Sequence, residues 1–411
     1  MAGEWREVTL GEISDFRAGS VFKPSHQGNA DGDIPFIKVS DMNLAENAVR
    51  IQGANNWVSK AVARELRAKP LPPGAVVFAK IGEALRQNRL RQVIRETIVD
   101  NNMMGAIPRP DRVDAAYLYY ALSQFDFAEV AQGTALPYLT VSSISGLKLE
   151  LPELPEQRVI AHILRSLDDK IELNRRMSAT LEAIARALFK AWFVDFEPVR
   201  AKAEGRDPDL PPHLAALFPE RLVETEHGEV PEGWEVKPLS EIAEFLNGLA
   251  LQKYPANDPA DSLPVIKIAE LRNGVTAKSD RASRDVPGKY IVKDGDFLFS
   301  WSGSLLAKFW TEGNGALNQH LFKVTSDRYP AWFFAEWVQV HLEEFQRIAA
   351  FKATTMGHIQ RGHLQAAMTN CPPDDVLANL GPAISPLVER GIRVDLESRT
   401  LAAIRDTLLP Q

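Results

Sequence analysis

The feature that most constrains this chain is that its sequence is written twice. WREVTLGEISDFRAG from Trp5 returns as WEVKPLSEIAEFLNG from Trp234, so Trp5, Leu10, Glu12, Ile13, Phe16 and Gly19 recur at a fixed offset of 229 as Trp234, Leu239, Glu241, Ile242, Phe245 and Gly248. The same offset carries IPFIKVSD onto LPVIKIAE, with Pro35, Ile37 and Lys38 falling on Pro264, Ile266 and Lys267. PGAVVFAKIG from Pro73 resembles DGDFLFSWSG from Asp294, and DNNMMGAI from Asp100 parallels LNQHLFKV from Leu317. From GTALPYLTVSSI at Gly133 against ATTMGHIQRGHL at Ala353 the offset is 220 and stays there to the end. Such a duplication demands two copies of one unit, and 411 residues at ~100 to 200 per domain leave room for both.

Each unit closes on a helix. From Pro155 to Phe193 apolar residues follow four-three spacing: Ile160, Leu164, Leu167, Ile171, then Asn174 and Ser178, then Leu181, Ala185, Leu188 and Trp192. At offset 220 the seam continues as Leu380, Ile384, Leu387, Gly391, Val394, Ser398, Leu401, Arg405 and Leu408. Pro382 and Pro386 predict that this second helix is strong only over its last 20 or so residues. Asn174 on the seam fits a device that sets register. The simplest partner for either helix is the other; the alternative is a pair of ordinary amphipathic core helices.

Inside each unit, extended apolar runs (IPFIKVS, AVVFAK) and turn signals (PPG, KDGD) precede one helix, DAAYLYYALSQFDFAEVAQ from Asp114 and its counterpart PAWFFAEWVQVHLEEFQRIAA from Pro330. The expected architecture is α+β: two similar domains, 1–152 and 234–373, joined by a pair of long coiled-coil helices, 153–196 and 374–411. Residues 197–233 read as a linker with one short helix near His213 to Leu217.

Chemistry is conspicuously sparse. A single cysteine, Cys371, excludes internal disulfides and Cys-based zinc clusters. The sequence contains no P-loop, dinucleotide fingerprint, zinc-protease helix or nucleophile elbow. Ser142, Ser143, His162, His320 and His358 are not ordered as a triad, and Asp168 and Asp169 read as a solvated helix face. No catalytic, cofactor-binding or metal-ligating set is therefore expected. MAGEWREVTL lacks the apolar core of a signal peptide and no run of ~18 apolar residues occurs, which points to a cytoplasmic protein with no membrane partner. The net charge of −7 disfavours a wholly basic nucleic-acid binder, but the excess acid concentrates in the middle, where residues 151–230 carry 11 basic and 15 acidic side chains. Lys80 to Arg95, with five basic residues, one acid and interleaved amides, is a credible phosphate-facing stretch.

Taken residue by residue, the chain resembles the specificity subunit of type I restriction-modification systems. The resemblance is carried by LPELPEQRVIAHILRSLDDKIELNRRM from Leu151, LEAIARALFKAWFVDFEPVRAKAEG from Leu181 and the paired motifs IPFIKVSD and LPVIKIAE, and it departs only where CPPDDVLANLGP from Cys371 replaces the Pro-Glu-Gln helix start. It implies two pseudo-symmetric target recognition domains joined by a long antiparallel coiled-coil helix pair that acts as a spacer, reading a bipartite, asymmetric double-stranded DNA target, and no catalysis in this chain. Two methylation subunits would complete an adenine-N6 methyltransferase, and two motor and nuclease subunits the restriction complex. S-adenosylmethionine, ATP and magnesium would then sit on those partners. Other readings are the specificity subunit of another two-part restriction enzyme, a stand-alone DNA-binding regulator, or a coiled-coil scaffold.

Arg and Lys grip guanine edges or phosphates, while Asn and Gln read adenine. On that chemistry the candidate DNA contacts are Lys80, Arg86, Gln87, Asn88, Arg89 and Arg91 in the first domain, and Ser302, Ser304 and Lys308 at the corresponding place in the second. Lys38 and Lys267 suit phosphates, and Tyr138, Thr140, His358 and Gln360 lie on the loop after each domain's helix.

Overall fold

The computed structural model describes residues 5–133, 135–351 and 357–409; Thr134 and the Ala353–Met356 stretch of the repeat lie outside them. The chain divides into two compact units, Met1–Glu172 with Thr400–Gln411, and Leu173–Arg399.

In the first unit the strands are β1 (Arg6–Thr9), β2 (Ser14–Ala18), β3 (Ile34–Ile37), β4 (Val76–Ala79), β5 (Leu90–Val93), β6 (Ile98–Val99), β7 (Met103–Pro108) and β8 (Lys148–Leu151). β1 pairs antiparallel with β8, clamping the two ends of the domain together. One sheet has the order β2, β7, β4, β5 and the two-residue strand Arg50–Ile51; a second places β3 between Trp57–Val58 and β6. β4, VVFA, is buried along its whole length, as an uninterrupted apolar run requires of a strand covered on both faces. Val76 and Phe78 pack with Tyr117, Leu118 and Leu122 of helix α1 (Ala115–Leu122), while Val77 packs with Ile37, Ile51 and Val99.

The second unit repeats this plan with β9 (Glu235–Pro238), β10 (Glu244–Asn247), β11 (Ser262–Ile266), β12 (Phe297–Ser300), β13 (Ala307–Phe309), β14 (Gly315–Leu317), β15 (Leu321–Thr325) and β16 (Met368–Cys371). β9 pairs with β16 as β1 does with β8, the order β10, β15, β12, β13 matches β2, β7, β4, β5, and β11 runs parallel to β14 as β3 does to β6. Its helix α3 (Ala331–Phe351) has 21 residues where α1 has 8. The first copy is therefore shorter than DAAYLYYALSQFDFAEVAQ suggests: the side chain of Asn88 accepts from Phe127 N and donates to Phe125 O, holding the chain beyond Leu122 in a non-helical course.

The repeated glycines have a common cause. A Cβ on Gly19 would lie 1.8 Å from the carbonyl oxygen of Asp100, and one on Gly248 would lie 2.2 Å from that of Asn318. Ser20 bridges Asp100 and Leu249 bridges Asn318 at these crossings, so Asp100 corresponds to Asn318. This corrects the sequence pairing of Asp100 with Leu317 by one residue.

The long helices are α2 (Leu154–Phe189), extended by a π turn at Lys190–Val194, and α4 (Asp374–Leu408). α4 is continuous over Asp374–Leu408, so the first turns that Pro382 and Pro386 were expected to kink or delay are helical as well. Pro382 and Pro386 stand on its exposed side, where the carbonyls they leave without N–H donors belong to the exposed residues Ala378 and Pro382. Within the second unit the helices run antiparallel, with Asn174 Nδ2 donating to Val394 O and Glu397 Oε2 and with Ser178 beside Gly391. The buried stripe of α2 includes Gln157, Ala161, Leu164, Asp168, Asn174, Ser178, Ala185, Phe189 and Trp192. Ile160, Leu167, Ile171, Leu181 and Leu188 of the expected seam are only half-buried, as are Leu387 and Leu401, whereas Val394 is fully buried. Leu408, at 50% exposure, is off the seam, because the final turns turn Arg405 inward instead.

Arg405 explains a second correction. Asp168, read above as solvated, is 4% exposed; Tyr120 Oη donates to its Oδ2 at 2.8 Å and Arg405 Nη1 to its Oδ1 at 2.8 Å. Asp169 does face solvent and meets Arg50 at 2.6 Å. Residues 197–233 are likewise more ordered than a linker: helices Glu197–Ala203 and Pro212–Ala215 and a hairpin of Leu222–Thr225 with Gly228–Pro231 place Val199 and Phe218 against Trp192 and Trp234 in the second unit's core.

Candidate nucleic-acid interface

Both units present the same cradle where the central strand ends. In the first, the chain leaving β4 bonds the loop after α1, with Gly82 N donating to Pro137 O and Leu139 N to Lys80 O, each at 2.8 Å. In the second, the chain leaving β12 does the same, with Gly303 N donating to Gly357 O at 2.8 Å and Ile359 N to Trp301 O at 2.9 Å. Lys80 thus corresponds to Trp301 and Tyr138 to His358. Both glycines have positive φ, +73° at Gly82 and +63° at Gly303, a turn that side chains resist.

The side chains on the two cradles differ. In the first unit the basic stretch separates into two roles. Arg86, Gln87 and Arg89 are exposed and Lys80 is half-exposed, while Arg86 meets Glu83 at 3.5 Å and Arg89 donates to Asn43. Asn88, at φ +46°, and Arg91 turn inward: Arg91 donates to Leu90 O and Met42 O, its Nε is buried without a partner among the described residues, and burial pushes its pKa down. Those two residues are braces rather than free contacts. Tyr138 stands 42% exposed at the rim, its backbone paired with Gln132, and Thr140 caps the short helix Val141–Ser145.

In the second unit the cradle carries an aromatic and imidazole group. Trp301 Nε1 donates to Asn247 Oδ1 at 2.9 Å, and its ring lies 5.9 Å from His320 and 6.3 Å from His358. Ser302 Oγ is 3.0 Å from His320 Nδ1, so Ser302 is a buried support and not an open contact. Trp301 and Asn247 escaped the sequence reading and His320 entered it only as a dismissed triad member, although the alignment of AKIG with SWSG already set Trp301 opposite Lys80. Gln360 is exposed and begins the helical turn Arg361–Ala366. Lys308 lies apart from this group, on β13, lining a cavity with Glu336 and Asp395.

Lys38 and Lys267 occupy equivalent places directly after β3 and β11, each opening a helical turn. Lys38 N donates to Asp41 Oδ2 at 2.6 Å and Lys267 N to Glu270 Oε2 at 3.2 Å. Their ammonium groups bend back onto the protein, Lys38 to Gln27 and the Phe22 ring and Lys267 to Asp280. Among the described residues no group of three or more His, Cys, Asp or Glu is placed to hold a metal ion, and no helix is long and apolar enough to cross a membrane.

The doubled fold has counterparts among known proteins. The family described as type I restriction modification DNA specificity domain matches residues 2–183 and 231–373. The type I restriction enzyme MjaIX specificity subunit of Methanocaldococcus jannaschii is 25% identical over 432 residues, covering 99% of this chain and 92% of that protein. The HindI specificity subunit of Haemophilus influenzae is 25% identical over 466 residues, covering 99% and 98%. The crystal structure of the type I restriction-modification S subunit from M. genitalium superimposes with a TM-score of 0.53 at 13% identity, covering 99% of this chain and 95% of that one, and shares its fold. The chain belongs to the type I restriction-modification specificity subunit family.

Proposed function

We propose that this subunit reads a bipartite, asymmetric double-stranded DNA target, one half with each cradle, and contributes no catalytic step of its own. The carrying observation is that one backbone device, the strand end bonded to the loop after α1 or α3, is retained twice while its side chains change from Lys80, Arg86, Gln87 and Arg89 to Trp301, His320 and His358. Arg and Gln in the first suit hydrogen bonding to base edges and phosphates; an indole beside imidazoles in the second suits stacking and apolar contact with bases. Lys38 and Lys267 would exchange their intramolecular partners for phosphates.

In this reading two methylation subunits bind the chain and supply adenine-N6 transfer from S-adenosylmethionine, and two motor and nuclease subunits supply ATP- and magnesium-dependent restriction in the cytoplasm. The 36 residues of α2, ~54 Å at ~1.5 Å per residue, would act as the spacer between the half-sites. Adenine-methylome sequencing in a host expressing the chain with its methylation partner tests this. Exchanging residues 5–145 for the same domain of another family member should change one half of the methylated motif, and removing one heptad from both α2 and α4 should shorten the unread gap. A continuous motif, or a swap that alters both halves, would overturn the reading.

A further inference from the structure

A cavity of about 180 Å³ in the second unit is lined by α2, α3, α4, β13 and the start of β12, away from the Trp301 cradle. Its acids come from three helices: Glu182 from α2, Glu336 from α3 and Asp395 from α4. Arg186 of α2 and Lys308 of β13 are the facing cations, so the ionised groups sum to one net negative charge. Glu336 is 8% exposed, and its Oε2 is buried with no hydrogen-bond partner among the described residues. An ionised carboxylate oxygen held in that state is costly unless something donates to it. The resident cations do not meet that need, since Arg186 favours ionisation of Glu336 from a distance without bonding this oxygen. Asp395 is engaged by Ser178 and repels Glu182.

The rest of the wall is largely apolar, its one further polar side chain being Gln339, whose Nε2 is committed to Ala307 O at 2.8 Å. Phe297, Phe309, Val388 and Ile392 form the apolar part, with Gly391 leaving the side toward α2 open. A cavity this size is below the ~300 Å³ at which drug-sized pockets begin, so its occupant is small. We propose that this cavity binds a small alkylammonium ion, an amine donating to Glu336 Oε2 and its methylene chain lying along Phe297, Phe309 and Val388.

Burial pushes the Glu336 carboxyl up to about 7, with Glu182 adding to the shift, so the site gains its full charge only above neutrality. Isothermal titration of the full-length chain with butane-1,4-diamine, without DNA, tests the proposal. Saturable one-to-one binding is expected at about pH 8, weakened about tenfold at about pH 6, where Glu336 holds its proton; butane-1,4-diol should give none. Glu336→Gln should weaken binding at least tenfold at the higher pH. Val388→Phe, which narrows the cavity without touching a charge, should do the same and decides the matter if the first variant does not fold. No saturable heat, unchanged affinity in either folded variant, or affinity independent of pH would overturn the proposal.

Discussion

The two long helices begin in opposite ways. At the start of α2, Gln157 is fully buried and keyed by polar bonds: its Oε1 accepts from Asp114 N at 2.8 Å, and its Nε2 donates to Pro152 O at 2.8 Å and Arg112 O at 3.1 Å. At offset 220 the same place in α4 holds Leu377, which is 5% exposed and packs in the core cluster with Trp332 and Leu380. One start is fixed by direction-specific hydrogen bonds and the other by filling space. The helix needs an anchor there, and two chemistries provide one. Where a neighbour's backbone occupies the space, as at Gly19 and Gly248, there is no second solution and both copies keep the same residue.

The largest effect is expected where the copies agree. Gly19→Ala and Gly248→Ala each force a Cβ into a backbone carbonyl and should cost about 3 kcal/mol or more, by displacement of the urea midpoint. A near-neutral result at one site with a large loss at the other would break the structural equivalence of the two crossings. Next comes the reciprocal exchange at the helix starts. Gln157→Leu leaves Asp114 N–H and two carbonyls without this partner, and Leu377→Gln buries an amide among apolar side chains; each should lose about 2 kcal/mol. If either exchange were silent, the anchor would not be specific to its surroundings. The smallest effect is expected at Asn174, whose Oδ1 is buried without a partner among the described residues while its Nδ2 reaches Glu397. Asn174→Leu should change stability by no more than about 1 kcal/mol, in either direction, yet loosen the register of α2 against α4. Disulfide trapping between cysteines placed at exposed positions along the two helices reads that register, and a single retained pairing in the variant would assign Asn174 no part in setting it.

Much of this was present in the sequence because it rests on backbone needs and periodicity. The duplication, the burial of Leu10, Ile13, Leu239 and Ile242, the recurring glycines and the four-three spacing are each fixed by close approach or by the helical repeat, and these are local properties of residue order. What a polar side chain does was decided only by its neighbours. Asp168 and Asp169 are adjacent and chemically alike, yet one meets Tyr120 and Arg405 in the interior and the other meets Arg50 at the surface. Asn88 and Arg91 share the composition of a DNA-facing loop with Arg86 and Arg89, but Phe125 and Met42 draw them inward. The Trp301, His320 and Asn247 group comes from three segments far apart in the chain. Hydrogen bonds and charges take their energy from partners within a few ångströms, and those partners are chosen by the fold, so composition can name the candidates while tertiary structure assigns their roles.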